Sequence, residues 1–179
     1  MESSKKFSVS TSRPYIFNYP FFLIKMAETL NKFKNILNQF GINEEIIQFE
    51  ESTKTSQQAA DALHVKINQI GKSIVFKTES GKFVLVIASG ANRINEQIIE
   101  AEVKEKLIKT NAEEIKLFTG YTIGGIPPFG HDNSMIIFVD SDLLKFEYIF
   151  CAGGTPNSIF KINPQKMIEI TSGKVIKVN

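Results

Sequence analysis

Lys72 is the cation in this 179-residue sequence whose setting best suits chemistry. It stands in Ile70-Gly-Lys-Ser-Ile-Val-Phe76, at the head of a β-forming run. A lysine there has two readings. It emerges from a sheet end into solvent, or it points into a cleft, where an ammonium stabilises developing negative charge. Gly71-Lys72-Ser73 imitates the end of a phosphate-binding P-loop. That motif needs a further glycine where this chain has Lys66, and a helix where Ile74-Val-Phe76 is β-forming, so a nucleoside triphosphatase is rejected. The second feature is Gly120-Tyr-Thr-Ile-Gly-Gly-Ile-Pro-Pro-Phe-Gly-His131, with four of the eleven glycines and two of the six prolines. Gly and Pro in this density hold a main chain in one shape. Such a loop presents its amides and carbonyls to a ligand, or it is a tight connection between two buried elements.

Side-chain machinery of the familiar kinds is absent from the pattern. No G-x-S-x-G occurs, and His131 has no second histidine near it, which argues against a Ser-His-Asp triad. Two histidines (His64 and His131) and a lone Cys151 make a His/Cys zinc site a poor reading. Asp140 and Asp142 could share a metal, but an Asp-rich turn accounts for them more simply. Cys151 lies among apolar strand residues and reads as core. Arg93, Lys104, Lys106 and Lys109 could touch a phosphate backbone. Their segment also carries Glu96, Glu100, Glu102 and Glu105, the pattern of a solvated, salt-bridged face.

The elements that must position these residues follow from periodicity. Leu30, Phe33, Ile36, Leu37 and Phe40 form the apolar face of a helix opening at Met26 and stopped by Gly41. Ile46–Phe49 reads as a short strand. Thr55 or Ser56 caps a brief helix carrying Ala59, Ala60 and Leu63, with His64 at its end. Residues 70–76 and 82–88 read as a hairpin turned at Glu79-Ser-Gly81, and the second run is apolar enough to be covered on both faces. A helix is expected from Ile94 or Asn95 to Ile108, and another, capped by Asn111 with Glu114, up to Gly120. Strands are expected at 134–139, 148–152, 158–162 and 175–178. Asn163-Pro164 starts a short helix through Met167. The whole reads as a single α/β domain with a mixed, barrel-like sheet flanked by short helices.

Composition agrees with one globular domain: 42% hydrophobic, 22% charged and a net charge of +2. That balance does not announce nucleic-acid binding, though it permits a local basic patch. Residues 1–25 differ, being rich in Ser, Lys and aromatics with Glu2 as their only acid. Their apolar run, 15–24, is too short to span a bilayer and is interrupted by Pro20. The segment reads as a targeting leader, as an extension before a start at Met26, or as an arm docking on the domain or a partner.

Taken together, Thr55 with Ala59-Ala60, the Gly71-Lys72-Ser73 run, Ser89-Gly90 with Arg93-Ile-Asn95, Gly124-Gly-Ile-Pro-Pro-Phe-Gly130 and Ala152-Gly-Gly154 resemble the YbaK and prolyl-tRNA-synthetase-associated editing domains. The resemblance covers residues 27–179 and leaves the leader without a counterpart. It implies the family's compact α/β fold and a trans-acting aminoacyl-tRNA deacylase, which hydrolyses the ester of a mischarged tRNA in translation proofreading. It implies no metal and no organic cofactor. The partners implied are mischarged tRNA and prolyl-tRNA synthetase or another synthetase, with no membrane, in the cytoplasm unless residues 1–25 direct the chain to an organelle. By the same resemblance Lys72 and the backbone of Gly124 and Gly125 are catalytic. Ser73, Pro127, Pro128, Gly130, Gly153, Gly154 and Thr155 bind substrate, and Arg93 is a candidate tRNA contact. Apart from the resemblance, His131, directly after the loop, reads as a further substrate-binding polar wall or as a surface histidine. Thr155-Pro156 departs from members with histidine in this segment, which bears on the amino acid accepted. Two alternatives stand beside this reading: an inactive module of the same fold that binds tRNA or a synthetase, and a small-molecule nucleotide-binding protein.

Overall fold

The computed structural model describes residues 19–50 and 55–179, so the expectations for residues 1–18 lie outside the described part. The first helix, α1 (Tyr19–Gln39), begins within the expected leader and not at Met26. Pro20 does not break it, because it stands in the first turn, where a missing amide costs no helical hydrogen bond. Phe33 and Leu37 are fully buried, while Phe40, expected on the same face, is 42% exposed and touches the core edge-on through Phe129.

Among the described residues four further α-helices and eight strands follow. They are β1 (Ile46–Gln48), α2 (Ser56–Leu63), β2 (Ile70–Thr78), β3 (Phe83–Ser89), α3 (Glu96–Val103), β4 (Leu107–Ile108), α4 (Ala112–Thr119), β5 (Ile136–Asp140), β6 (Ile149–Ala152), β7 (Ser158–Ile162), α5 (Pro164–Thr171) and β8 (Lys174–Ile176). The strands form one mixed sheet in the order β1-β7-β6-β2-β3-β5-β8, with β4 added beside β2. The β2–β3 hairpin is antiparallel, whereas β2–β6, β3–β5 and β5–β8 are parallel.

Alternation along β3 shows why both its faces had to be apolar. Phe83, Leu85 and Ile87 join one core with Phe33, Tyr121, Phe129 and Phe160. Val84, Val86 and Ala88 join a second with Ile99 and Phe138. All seven residues of β3 are buried. A third cluster, Ala59, Ala60, Ile70, Phe150 and Ile159, holds α2 against the sheet. Of the two candidate caps, Thr55 and Ser56, Thr55 caps α2, in a complete capping box with Gln58.

The helix expected to run to Ile108 ends at Val103. Lys104 turns left-handed, the Glu100 carboxylate accepts the Leu107 amide at 3.0 Å, and Leu107–Ile108 pair with Lys77–Thr78 of β2. Val103 and Leu107 still pack on the second core, so the apolar period is satisfied by a helix followed by a strand. Asn111 caps α4, but Glu114 does not close the box; its carboxylate binds Lys77 and Thr110 instead.

Candidate functional site

On one side β2 is paired with β3 along Gly71–Lys77. On its other side β6 takes only Ile70–Gly71 and β4 only Lys77–Thr78. A cleft of about 330 Å³ opens where β6 leaves β2. Gly71, Lys72, Ser73 and Ile74 line it from β2, Thr55, Ser56 and Ala59 from the start of α2, and Ile123, Gly124 and Ile126 from the glycine-proline loop. Ala152, Pro156, Ser158 and Ile159 complete the wall. Lys72 and Gly124, remote in sequence, therefore share one cavity.

Lys72 is half-buried. Its ammonium donates to the carbonyl of Gly90 at 3.3 Å and to that of Asn92. An ammonium has three donors, so these leave one for a ligand. Burial pulls the Lys72 pKa below the ordinary lysine value, and the negative charge of Asp140 opposes that pull. Beside Lys72, the Ser73 hydroxyl oxygen is buried without a hydrogen-bond partner, the single such side-chain atom among the described residues. A buried hydroxyl in this state costs free energy that a bound polar group would recover.

The glycine-proline loop divides into two halves. Gly120 caps α4 with φ of 80°, and the Gly125 amide closes a turn onto the Thr122 carbonyl at 2.9 Å. This turn brings Ile123 and Gly124 to the cleft. Gly125 is buried against residue 155: a Cβ added there would stand 2.6–2.9 Å from the Thr155 backbone, a distance at which no side chain fits. Gly124, with φ of 87°, faces Pro156.

The second half turns inward. Pro127, Pro128 and Phe129 are buried, and none of Pro127, Pro128, Gly130 and His131 lines the cleft. His131 shares a 2.8 Å hydrogen bond with the Pro127 carbonyl through Nε2, and the Tyr121 hydroxyl donates to the Gly130 carbonyl at 3.0 Å. Burial pulls the His131 pKa below its ordinary value. Lys32 of α1 ties the end of the loop down through Asp132 at 2.6 Å. These residues act as a buttress under α1, where the sequence reading had them meeting substrate.

Gly153, Gly154 and Thr155 are likewise buried behind the wall, and Pro156 and Ser158 form its surface. The Thr155 hydroxyl is committed to Ser158 Oγ (2.8 Å) and Asn157 Oδ1 (2.9 Å). Arg93 is exposed just beyond Asn92 and outside the lining. Cys151 is fully buried, and burial pushes its thiol up to about 12, consistent with a core role. His64 is the exposed left-handed C-cap of α2. Sequence reasoning assigned Asp140 and Asp142 to a turn and passed over Asn92. In the structure both carboxylates hold the Asn92 side-chain amide, each at 2.8 Å.

A model of the aminoacyl-tRNA editing domain matches residues 50–170, and the chain belongs to that family. It is 28% identical over 147 residues to the uncharacterised protein YwhH of Bacillus subtilis (strain 168), covering 82% of this chain and 94% of that one. It is 31% identical over 114 residues to a proline–tRNA ligase of Thermosipho africanus (strain TCF52B). That match covers 63% of this chain but spans only 20% of the ligase. A crystal structure described as a candidate trans-editing enzyme for prolyl tRNA synthetase superposes with a TM-score of 0.79 at 31% identity, covering 84% of this chain and 96% of that one. The mixed α/β architecture is thus that of the editing domains.

Proposed function

We propose that this protein is a trans-acting aminoacyl-tRNA deacylase that removes the amino acid from a mischarged tRNA. The observation that carries the reading is the shared cleft: Lys72 and Ser73 of β2 line one cavity with Gly124 of the glycine-proline loop. Family membership and the likeness to a candidate trans-editing enzyme support it.

The reaction asks little of side chains. Water adds to the ester carbonyl carbon, the bond from that carbon to the terminal ribose oxygen breaks, and the amino acid and the free tRNA end leave. The ester is already activated, so holding the water and neutralising the oxyanion suffice. Lys72 supplies positive charge in a partly desolvated setting. The Gly124 backbone, which lines the cleft, provides polar groups that fix the aminoacyl end, and Gly125, its amide held by the Thr122 carbonyl, keeps that backbone in place. Neither His64 nor His131 lines the cavity, and the reading assigns the water's proton to a base on the substrate or in solvent. The lining is mostly aliphatic, with Ala59, Ile70, Ile126 and Ile159 among it, which suits a small apolar side chain. Shape then selects by exclusion, because one methylene more or less is worth only about 1–3 kcal/mol.

A panel of mischarged tRNAs, each incubated with the protein and with Lys72→Ala, tests this. Hydrolysis of at least one by the wild type alone is expected. Binding of tRNA without hydrolysis of any member would favour the inactive module, and tight binding of free ATP without tRNA would favour a nucleotide-binding protein.

A further inference from the structure

We propose that Asp140 is a positioning residue that, through Asn92 and the Ser89–Asn92 turn, sets where the Lys72 ammonium stands in the cleft. The inference rests on the deacylase reading for its kinetic consequence, though not for its geometry.

Asp140 ends β5 and is fully buried. A carboxylate in such a place is costly unless donors surround it. Three do: Oδ2 accepts from the Ser89 amide at 3.0 Å and the Asn92 side-chain amide at 2.8 Å, and Oδ1 accepts from the Asp142 amide at 3.1 Å. Two of the three donors belong to the turn that leaves β3. The same turn offers Lys72 its acceptors, the carbonyls of Gly90 and Asn92. Register explains the sandwich. Lys72 of β2 lies opposite Ala88, and Val139 of β5 lies opposite Ile87, so Lys72 and Asp140 flank the end of β3 from its two sides.

The turn has little freedom otherwise. Its Asn92 amide closes onto the Ser89 carbonyl at 2.9 Å and the Gly90 amide binds the Ile70 carbonyl at 2.7 Å. Gly90 is also required sterically, since a Cβ there would stand 2.5 Å from the Ile67 carbonyl oxygen. What those bonds do not fix is the outward reach of residue 92, and that is where Asp140 and Asp142 hold the side chain.

Among the described residues the charges around Lys72 are few. Asp140 and Asp142 come from the end of β5 and the turn after it; Lys145 pairs with Asp142 at 2.6 Å, and Lys177 also acts on Asp142. The other lining residues, from α2, the glycine-proline loop, β6 and β7, carry no charge. Among the described residues Asp140 is the acid whose field acts on the Lys72 ammonium, and it opposes the effect of burial.

Two substitutions and two readouts test the relay. Asp140→Asn removes the charge with little change of shape, and Asn92→Ala removes the tether while keeping the charge. The titration of the Lys72 ammonium, followed by NMR with isotope-labelled lysine and assigned by its loss in Lys72→Met, needs no activity. Its midpoint is expected to move further down in Asp140→Asn, because an opposing negative charge is gone. It is expected to move down in Asn92→Ala as well, because a carbonyl is no longer held against the ammonium. On the hydrolysed tRNA, kcat should fall about tenfold or more with KM little changed, the scale seen when an outer partner of a functional group is lost. A Lys72 midpoint unchanged from wild type in a folded variant overturns the relay, whatever the activity. Should Asp140→Asn not fold, the same result in Asn92→Ala decides. If wild type hydrolyses no tRNA while the midpoint moves as described, the deacylase reading falls and the relay stands.

Discussion

Lys72 reaches the cleft with two of its donors on main-chain carbonyls, and that arrangement separates its chemistry from its stability. Its folded-state pKa lies below the unfolded value of 10.5. Between the two values the unfolded chain binds more protons than the folded one, so stability rises with pH across that window. The charged form is thus held at some cost in the fold. Lys72→Met is expected to abolish deacylation while leaving the thermal midpoint at neutral pH unchanged or raised. Wild-type activity should fall on the alkaline side at a pH below 10.5, as the ammonium is lost. His131 gives a second test. Its lowered pKa means that the unfolded chain takes up a proton below about 6.5 where the folded one does not. The stability it contributes is present above the unfolded value and is lost as pH falls through the folded one. Thermal midpoints measured across pH 5–7 should drop on acidification, and the drop should shrink in His131→Gln; identical profiles would contradict this. The sequence made Lys72 visible through its β-strand setting. It could not show Asn92 and Asp140 near it, because Asn92 reaches Lys72 through the antiparallel register of β2 with β3, and Asp140 joins that turn through the parallel register of β3 with β5. It also placed His131 at the pocket, since adjacency in the chain does not reveal that the loop turns inward after Ile126.

Gly120–His131 works as an element with two different ends. The front, Ile123–Gly124, forms cleft wall, and the back is clamped by α1 through Phe33 against Phe129 (ring centroids 5.7 Å apart) and Lys32 with Asp132. The rigidity implied by two prolines was legible in the sequence; which half faces the ligand was not, since burial depends on where α1 lies. Gly125 ties the loop to the Thr155 segment at a spacing that excludes a side chain. Gly125→Ala must push Thr155 and Pro156 away, so deacylation should fall by two orders of magnitude or more, the scale of a misplacement of about 1 Å, with circular dichroism largely retained. Full activity in that variant would mean that the contact between loop and wall is dispensable. The C-terminal end of α3 was misjudged because a hydrophobic period marks a buried face and does not say where the chain changes from helix to strand. The start of α1 was misjudged because Pro20 was read as a breaker, which it is not in a first turn.

At the scale of the molecule, the mixed sheet was legible because the hairpin and the wholly apolar β3 need cover on both faces. The cleft was not, because it arises from a mismatch in pairing: β6 and β4 each cover one end of the free side of β2 and leave Lys72–Ile74 open. That gap, walled by loop and α2, is where the fold leaves space for a substrate end. No helix among the described residues is long and apolar enough to cross a membrane. The proposed activity is hydrolysis of aminoacyl esters in this opening, with Lys72 as its charge. The most direct measurement is the single-turnover rate on the mischarged tRNA that wild type cleaves best, compared with Lys72→Ala. The expected result is a loss of about 10²–10³-fold, the usual consequence of removing an oxyanion donor. Equal rates for the two proteins, or no hydrolysis of any aminoacyl-tRNA by wild type, would contradict it.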